Sequence, residues 1–366
     1  MSRDASEIVS LRVNGQIHEG WQDIRITRGI ERAAADFSLA MTTQYLAVRA
    51  GDACEVWIGS DKVLTGFVDD VEKDGEANRF AVQVAGRSRT QDVVDSSAVH
   101  KPGQWSGVKL ERIAAILAQP CGVTVLAEAD TGAPIREYRI QQCETILTAL
   151  QRLCGLRGLL VTDDENGALV IMRPAGPRAG AWASPIRFSS DGNAKRLASR
   201  SSQRDRFHTY IVKGQQGGFD LDDPSIIAGP EARAVDRGIR QTRTLVVMAE
   251  GAADTPRCQD RAAWESAKRL GAGTHVDATV QGWRQSPGGP LWRPNTLSRV
   301  TSTAHGIDAD MLISEVSYTI GDRGTETQLR LAPPSAFELL PDREDYGAGA
   351  WAGLLRGSIA PVDYGR

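Results

Sequence analysis

No run of this chain is both long and apolar, and none approaches the roughly 18 residues that suggest a membrane-spanning helix. Cysteine is scarce: five residues in 366, at positions 54, 121, 143, 154 and 258. The odd count and wide spacing speak against a disulfide framework and fit a reducing compartment. A charge excess is missing too, with 43 Lys and Arg against 46 Asp and Glu and a net charge of −3. That balance leaves no basic footprint for a dedicated duplex-DNA binder. The start, Met1-Ser2-Arg3-Asp4, carries no apolar signal core, so the protein is expected to be made in a cytoplasm and to stay there until it is moved.

The usual signatures of chemistry are absent as well. The five histidines, His18, His100, His208, His275 and His305, stand alone, without H-x-x-x-H or C-x-x-C partners, so no metal is expected. The turn Asp163-Asp164-Glu165-Asn166-Gly167 hints at a calcium loop. It has Thr162 where such a loop begins and Arg173 where the closing Glu belongs, so a hairpin turn accounts for it. No G-x-S-x-G elbow, Walker loop or strand-borne G-x-G-x-x-G occurs, which leaves no nucleophile or cofactor to nominate. Cys121, Cys143 and Cys154 lie in or beside apolar helices and read as structural thiols. The acidic pairs Asp69-Asp70 and Asp222-Asp223 read as solvated turns rather than a hydrolytic dyad. No catalytic, cofactor-binding or metal-binding residue is assigned.

What remains is a chain long enough for two to four domains, with ordinary fractions of apolar (41%) and charged (24%) residues. Val9, Leu11 and Val13 alternate with polar residues up to Asn14-Gly15, a strong hairpin signal. Further period-two runs follow through Ile24 and Ile26, Phe37 to Met41, Cys54 to Ile58 and Phe80 to Val84. Gly59-Ser60-Asp61 and Asp74-Gly75-Glu76 mark turns between the later runs. Residues 1–98 therefore read as one antiparallel, barrel-like β domain. From Leu110 the apolar residues take helical spacing (Ile113, Ala114, Leu117), and a second stripe runs from Ile146 to Cys154. A hairpin from Leu159 to Met172 completes a small α+β domain over 99–180. Its end, Arg173 to Pro185, is rich in Pro, Gly and Ala and reads as a linker.

Residues 181–255 read as a connecting β segment. Thr255-Pro256 opens a helix whose expected buried face carries Ala263, Ala267 and Leu270. The closing part, 256–340, combines that helix with an antiparallel meander from Gly282 to Phe337. The tail, 341–366, is too rich in Gly to form a firm element alone. Val56, Leu64, Val68 and Phe80 follow the same order as Val300, Leu312, Val316 and Leu329, which raises an internal duplication. Three tryptophans, Trp182, Trp292 and Trp351, lie in Pro/Gly-rich segments and are candidate protein-interface anchors, with local packing as the alternative.

Several segments in order resemble the baseplate hub proteins of Mu-like contractile-tailed phages, within the phage late control protein D superfamily. They are LRVNGQIHEGW with IRITRGIERAAADFSL, then KPGQWSGVKLERIAAILAQPCGV. ETILTALQRLCGLRGLLVTDDENGALVIMRP follows, and the Trp264 helix with GWR, PLWRPN and DMLISEVSYTI closes the series. The resemblance spans nearly the whole chain and is weakest over 341–366. It implies a mainly β fold with an α+β insert, in which two similar tube domains per chain assemble as a homotrimer. Such a trimer presents six similar faces to a hexameric tail tube and three-fold symmetry to a central spike protein. It would leave a channel through which DNA passes without specific binding, and no part would insert in a membrane. The implied place is the virion tail baseplate, assembled in the host bacterial cytoplasm. Two other expectations stand beside it: a tail-associated cell-wall-degrading enzyme, and a type VI secretion spike hub.

Overall fold

The computed structural model describes residues 7–43, 46–76, 79–135, 137–155, 159–174, 181–215, 229–252, 255–321 and 324–337. The chain divides into two compact units. The first comprises Met1–Gly155, Leu159–Ser199 and Val276–Pro334, and the second is centred on Arg200–His275.

In the first unit, period-two sequence becomes strand. β1 (Val9–Val13) turns at Asn14-Gly15, both with positive φ (51° and 76°), into β2 (Gln16–His18). The left-handed pair is what Asn-Gly supplies at low cost. β3 (Asp23–Gly29), β4 (Asp36–Thr42), β5 (Ala53–Ile58), β6 (Asp61–Glu76) and β7 (Arg79–Ser88) follow. The Asp74-Gly75-Glu76 turn read from sequence is corrected: these residues continue β6, pairing with Ala81, Phe80 and Arg79. A Cβ at Gly75 would lie 3.0 Å from the Phe80 ring on the paired strand.

Next comes an α+β cluster. Helices α1 (Gln91–Asp95), α2 (Leu110–Ala118) and α3 (Ile146–Gly155) surround the strands β9 (Val125–Ala127), β11 (Leu160–Asp163) and β12 (Leu169–Met172). The two-residue strands β8 (Gln104–Trp105) and β10 (Tyr138–Arg139) pair beside them. Its core holds Leu110, Ile113, Ala114 and Leu117 from α2 and Ile146, Leu150 and Leu153 from α3, all buried. These are the stripes that the spacing foretells.

The strands β13 (Ala181–Trp182), β14 (Ile186–Arg187), β15 (Ala194–Ser201), β19 (Thr274–Gln281), β20 (Thr296–Ser302), β21 (Ile307–Gly321) and β22 (Gly324–Ala332) complete the unit. Its large sheet runs β15-β19-β22-β21-β3-β4-β7-β6-β5-β1-β2, with β13, β14 and β20 branching beside β21. One continuous core lies beneath it, from Leu11, Ile26, Phe37 and Val84 to Val280, Val316 and Leu331.

The second unit holds β16 (Thr209–Gln215), β17 (Glu231–Val235), β18 (Thr244–Ala252) and α4 (Thr255–Ala272). β16 is central, antiparallel to β17 and parallel to β18. The helix buries Cys258 and Ala262 with Tyr210, Val212, Ala232 and Ala234. The face expected from sequence is thus displaced: Ala263 is buried, but Ala267 is half-buried and Leu270 is 40% exposed. Small residues win this contact because they let the helix approach the sheet closely, and Leu270 falls beyond it.

Candidate assembly surfaces

The two β regions of the first unit repeat one pattern. A short strand (β5 or β20) leads to a long one (β6 or β21) of 16 or 15 residues. That long strand pairs antiparallel with β7 or β22, which then pairs with β4 or β19. Each long strand carries a register shift at the same point, between Val68 and Asp70 in β6 and between Ile313 and Glu315 in β21. Past the shift, Asp70 faces Ala85 and Glu315 faces Arg330. A bulge bends a strand and increases its twist, so both copies turn alike.

The copies differ in what lies along the far edge. Residues Glu315 to Ile320 of β21 pair with β3, from Glu315↔Gly29 to Ile320↔Ile24. The matching part of β6 has no such neighbour: β5 covers only Asp61 to Phe67, and Asp70 to Gly75 face no strand on that side among the described residues. The sheet path ends at its other side on β15, so the sheet is open within one chain. Unpaired edge N–H and C=O groups form a template for another strand.

Polar side chains hold the parts of this unit together. The β11–β12 hairpin docks on the first β region through Asp163, whose Oδ2 accepts from the Ala35 amide at 3.1 Å. Thr162 Oγ1 donates to Gly29 O, and Thr65 Oγ1 donates to Glu165 O at 2.8 Å. Burial pushes the Asp163 carboxyl above the usual carboxylate range, although Arg28 and Ser88 oppose the shift. Sequence marked this turn only as a hairpin and missed the docking, because the partners lie about 130 residues away. Within the turn, Asp164 Oδ1 accepts from the amides of Asn166 and Ala168.

The face of the large sheet opposite the core is polar, and several of its charges are paired. Arg330 meets Asp277 at 3.0 Å, Lys195 meets Glu326 at 3.1 Å, and Arg32 meets Asp36 at 2.7 Å and Glu315 at 2.8 Å. Of the candidate anchors, Trp182 is 55% exposed on β13. Trp292 is 1% exposed within the core, its carbonyl taking the Tyr318 hydroxyl. Trp351 lies outside the described residues, as do Asp222 and Asp223. Among the described residues no group of three or more His, Cys, Asp or Glu is placed to hold a metal, and no helix is long and apolar enough to cross a membrane.

Three family models match in order. Residues 8–88 fit the N-terminal domain of the Mu phage baseplate assembly protein GpP-like family. Residues 90–173 fit the second domain of the gp44-like baseplate hub protein, and residues 254–340 the fourth domain of Mu GpP. The baseplate hub protein gp44 of Escherichia phage Mu is 31% identical over 354 residues, 93% of this chain and 91% of that protein. The chain belongs to the Mu baseplate hub family. Solved structures share the fold. The 43 kDa tail protein of prophage MuSo2 from Shewanella oneidensis is 31% identical, with a TM-score of 0.81 over 91% of this chain and 100% of that one. A tail protein from Neisseria meningitidis MC58, at 23% identity, has a TM-score of 0.78 over 92% of this chain and 98% of that one, a likeness of fold. This hub is thus a structural component of a phage tail baseplate with a mainly β fold.

Proposed function

We propose that the hub works as a homotrimeric ring in which each chain supplies two tube domains. Six similar faces then meet a hexameric tail tube, and three-fold symmetry meets a central spike. The observation that carries this reading is the repeated strand pattern with one joint made and one open. β21 and β3 pair inside the chain, whereas the matching edge of β6 and the outer edge of β15 are bare among the described residues. β15 stands next to β19 as β3 stands next to β4. Pairing β6 of one copy with β15 of the next repeats the internal joint head to tail, and a rotation that closes after three copies forms a ring. In this assembly the sheet would close into the barrel that one chain leaves open.

The domain division 1–98, 99–180, 181–255, 256–340 and 341–366 is proposed with it, the first and fourth being the tube domains. The polar face of the sheet suits a bore, because carboxylates set among its cations weaken any counterion-releasing grip on DNA phosphates. The role is non-enzymatic on this reading. Of the described carboxyls, burial raises Asp36 and Asp163. Asp36 is held by Arg32 and Asp163 by the Ala35 amide, so neither is poised as an acid in an open cleft. Assembly would take place in the host cytoplasm, with Trp182 as an interface contact.

Cysteines test the edges. A chain carrying Glu72→Cys on β6 and Ser199→Cys on β15 is oxidised and sized under denaturing conditions. The reading predicts a covalent ladder that stops at three chains and needs both cysteines. A ladder that stops at two, or no link between copies, overturns it.

A further inference from the structure

Helix α4 turns one side to the sheet of its unit and leaves another along an open cleft of about 680 Å³. Arg261, Trp264, Lys268 and Arg269 line the helix side, and Arg200 and Arg206 stand on the other wall. The spacing 261, 264, 268 puts these helix residues in one row. Arg261 and Lys268 lie over the Trp264 ring, at 4.4 Å and 4.7 Å from its centroid. That arrangement holds two cations beside the cleft and leaves the ring poorly suited to stack on a nucleobase.

Acidic groups neutralise part of the lining. Glu265 bridges Arg261 at 3.1 Å and Arg269 at 3.0 Å, and Asp236 holds Arg206 at 2.8 Å. Arg200 and Lys268 make no ion pair among the described residues. Asp205 adds a further carboxylate, but the five cations of the lining still outnumber Asp205, Glu265 and Asp236. The cleft therefore retains positive charge in a chain whose net charge is −3, which favours carboxylates on an extended peptide.

The described chain ends beside it. Ala336 packs on Gly271, where a Cβ would fall 2.4 Å from the Ala336 Cα, and Phe337 is buried. Gly271 precedes Ala272, which itself lines the cleft. The sequence then reads Glu338-Leu339-Leu340-Pro341-Asp342-Arg343-Glu344-Asp345, four acids against one base. From Phe337 to Asp345 the chain reaches about 28 Å when extended, whereas Ala272 to Arg261 spans about 16 Å of helix. Reach and charge both suffice.

We propose that the cationic cleft along α4 is an acidic-peptide site and that its occupant is the 338–345 segment of the same chain. The segment's carboxylates meet Lys268 and Arg200, which anchors the start of the tail on the second unit. The idea does not depend on the ring or on the count of chains.

Carbodiimide coupling of the full-length protein tests it. Equal amounts of ordinary and nitrogen-15-labelled hub, mixed as dissociated chains and reassembled, are coupled and the cross-linked peptides read by mass spectrometry. The expected product joins the Lys268 amine to Glu338, Asp342, Glu344 or Asp345 with both halves of one isotope. It should fall at least five-fold at 1 M salt and in Arg200→Glu, which keeps the amine. Links of mixed isotope would place the segment on a neighbouring copy and overturn the proposal. So would a Lys268 that couples to none of these acids.

Discussion

The guanidinium of Arg284 reaches the carboxylate of Asp61 at 2.7 Å across 223 residues of sequence. Asp61 opens β6, and Arg284 follows Trp283, whose ring nitrogen donates to Thr319 O of β21 at 3.0 Å. The pair thus fastens one β region of the first unit to the other. Arg284 also donates to Gly289 O at 2.9 Å, so the loop it sits on is fixed from both sides.

Asp61→Asn should cost about 1.5–3 kcal/mol, the range for a hydrogen bond to a charged group. The lower end is expected because Asp61 is one-third exposed and partly screened. Denaturant unfolding monitored by tryptophan emission checks this. An unchanged midpoint would show that the pair contributes nothing.

Asp163 predicts a pH dependence with a definite sign. Its folded pKa is raised by burial above the usual 3.8. The folded state therefore binds its proton more tightly, and the stabilisation is complete below 3.8 and lost as pH rises through the folded value. Asp163→Asn keeps an acceptor for the Ala35 amide and removes the charge. Its unfolding free energy should fall less than that of the parent between about pH 4 and pH 7. Parallel curves for the two proteins would contradict the assignment.

The two described candidate tryptophans should part company. Trp292→Ala removes a ring buried in the chain's own core and should cost about 3–5 kcal/mol. Trp182→Ala alters an exposed residue and should move stability by less than about 0.5 kcal/mol, while weakening association if it is an interface contact. Thermal melts and sedimentation on both variants give the answer.

Thiol chemistry follows burial. Cys54 and Cys154 are pushed up to about 12, chiefly by desolvation, so at pH 8 almost none of either is thiolate. Cys143 is exposed and should react first with a disulfide reagent. Prompt labelling of Cys154 in native protein would show that its helix opens readily.

Much of this structure was legible in sequence because the signals are local. Asn14-Gly15 makes its hairpin, and the stripes at Leu110 to Leu117 and Ile146 to Cys154 bury as their spacing requires. Long-range events left weaker traces. The bulge after Val68 and its twin after Ile313 break the two-residue alternation, so neither long strand shows as one run. Asp74-Gly75-Glu76 carries turn-type residues inside a strand, where pairing with β7 overrides preference. The assembly edges were hidden altogether: Asp70 to Gly75 look no different from paired residues until the neighbour on β21 is seen.

The measurement that bears most directly on the central claim is the mass of the purified full-length hub by multi-angle light scattering. Two tube domains per chain and three chains per ring predict three times the chain mass of 39.5 kDa, about 118 kDa. A mass of one chain, or of six, at concentrations up to those of assembly would contradict it.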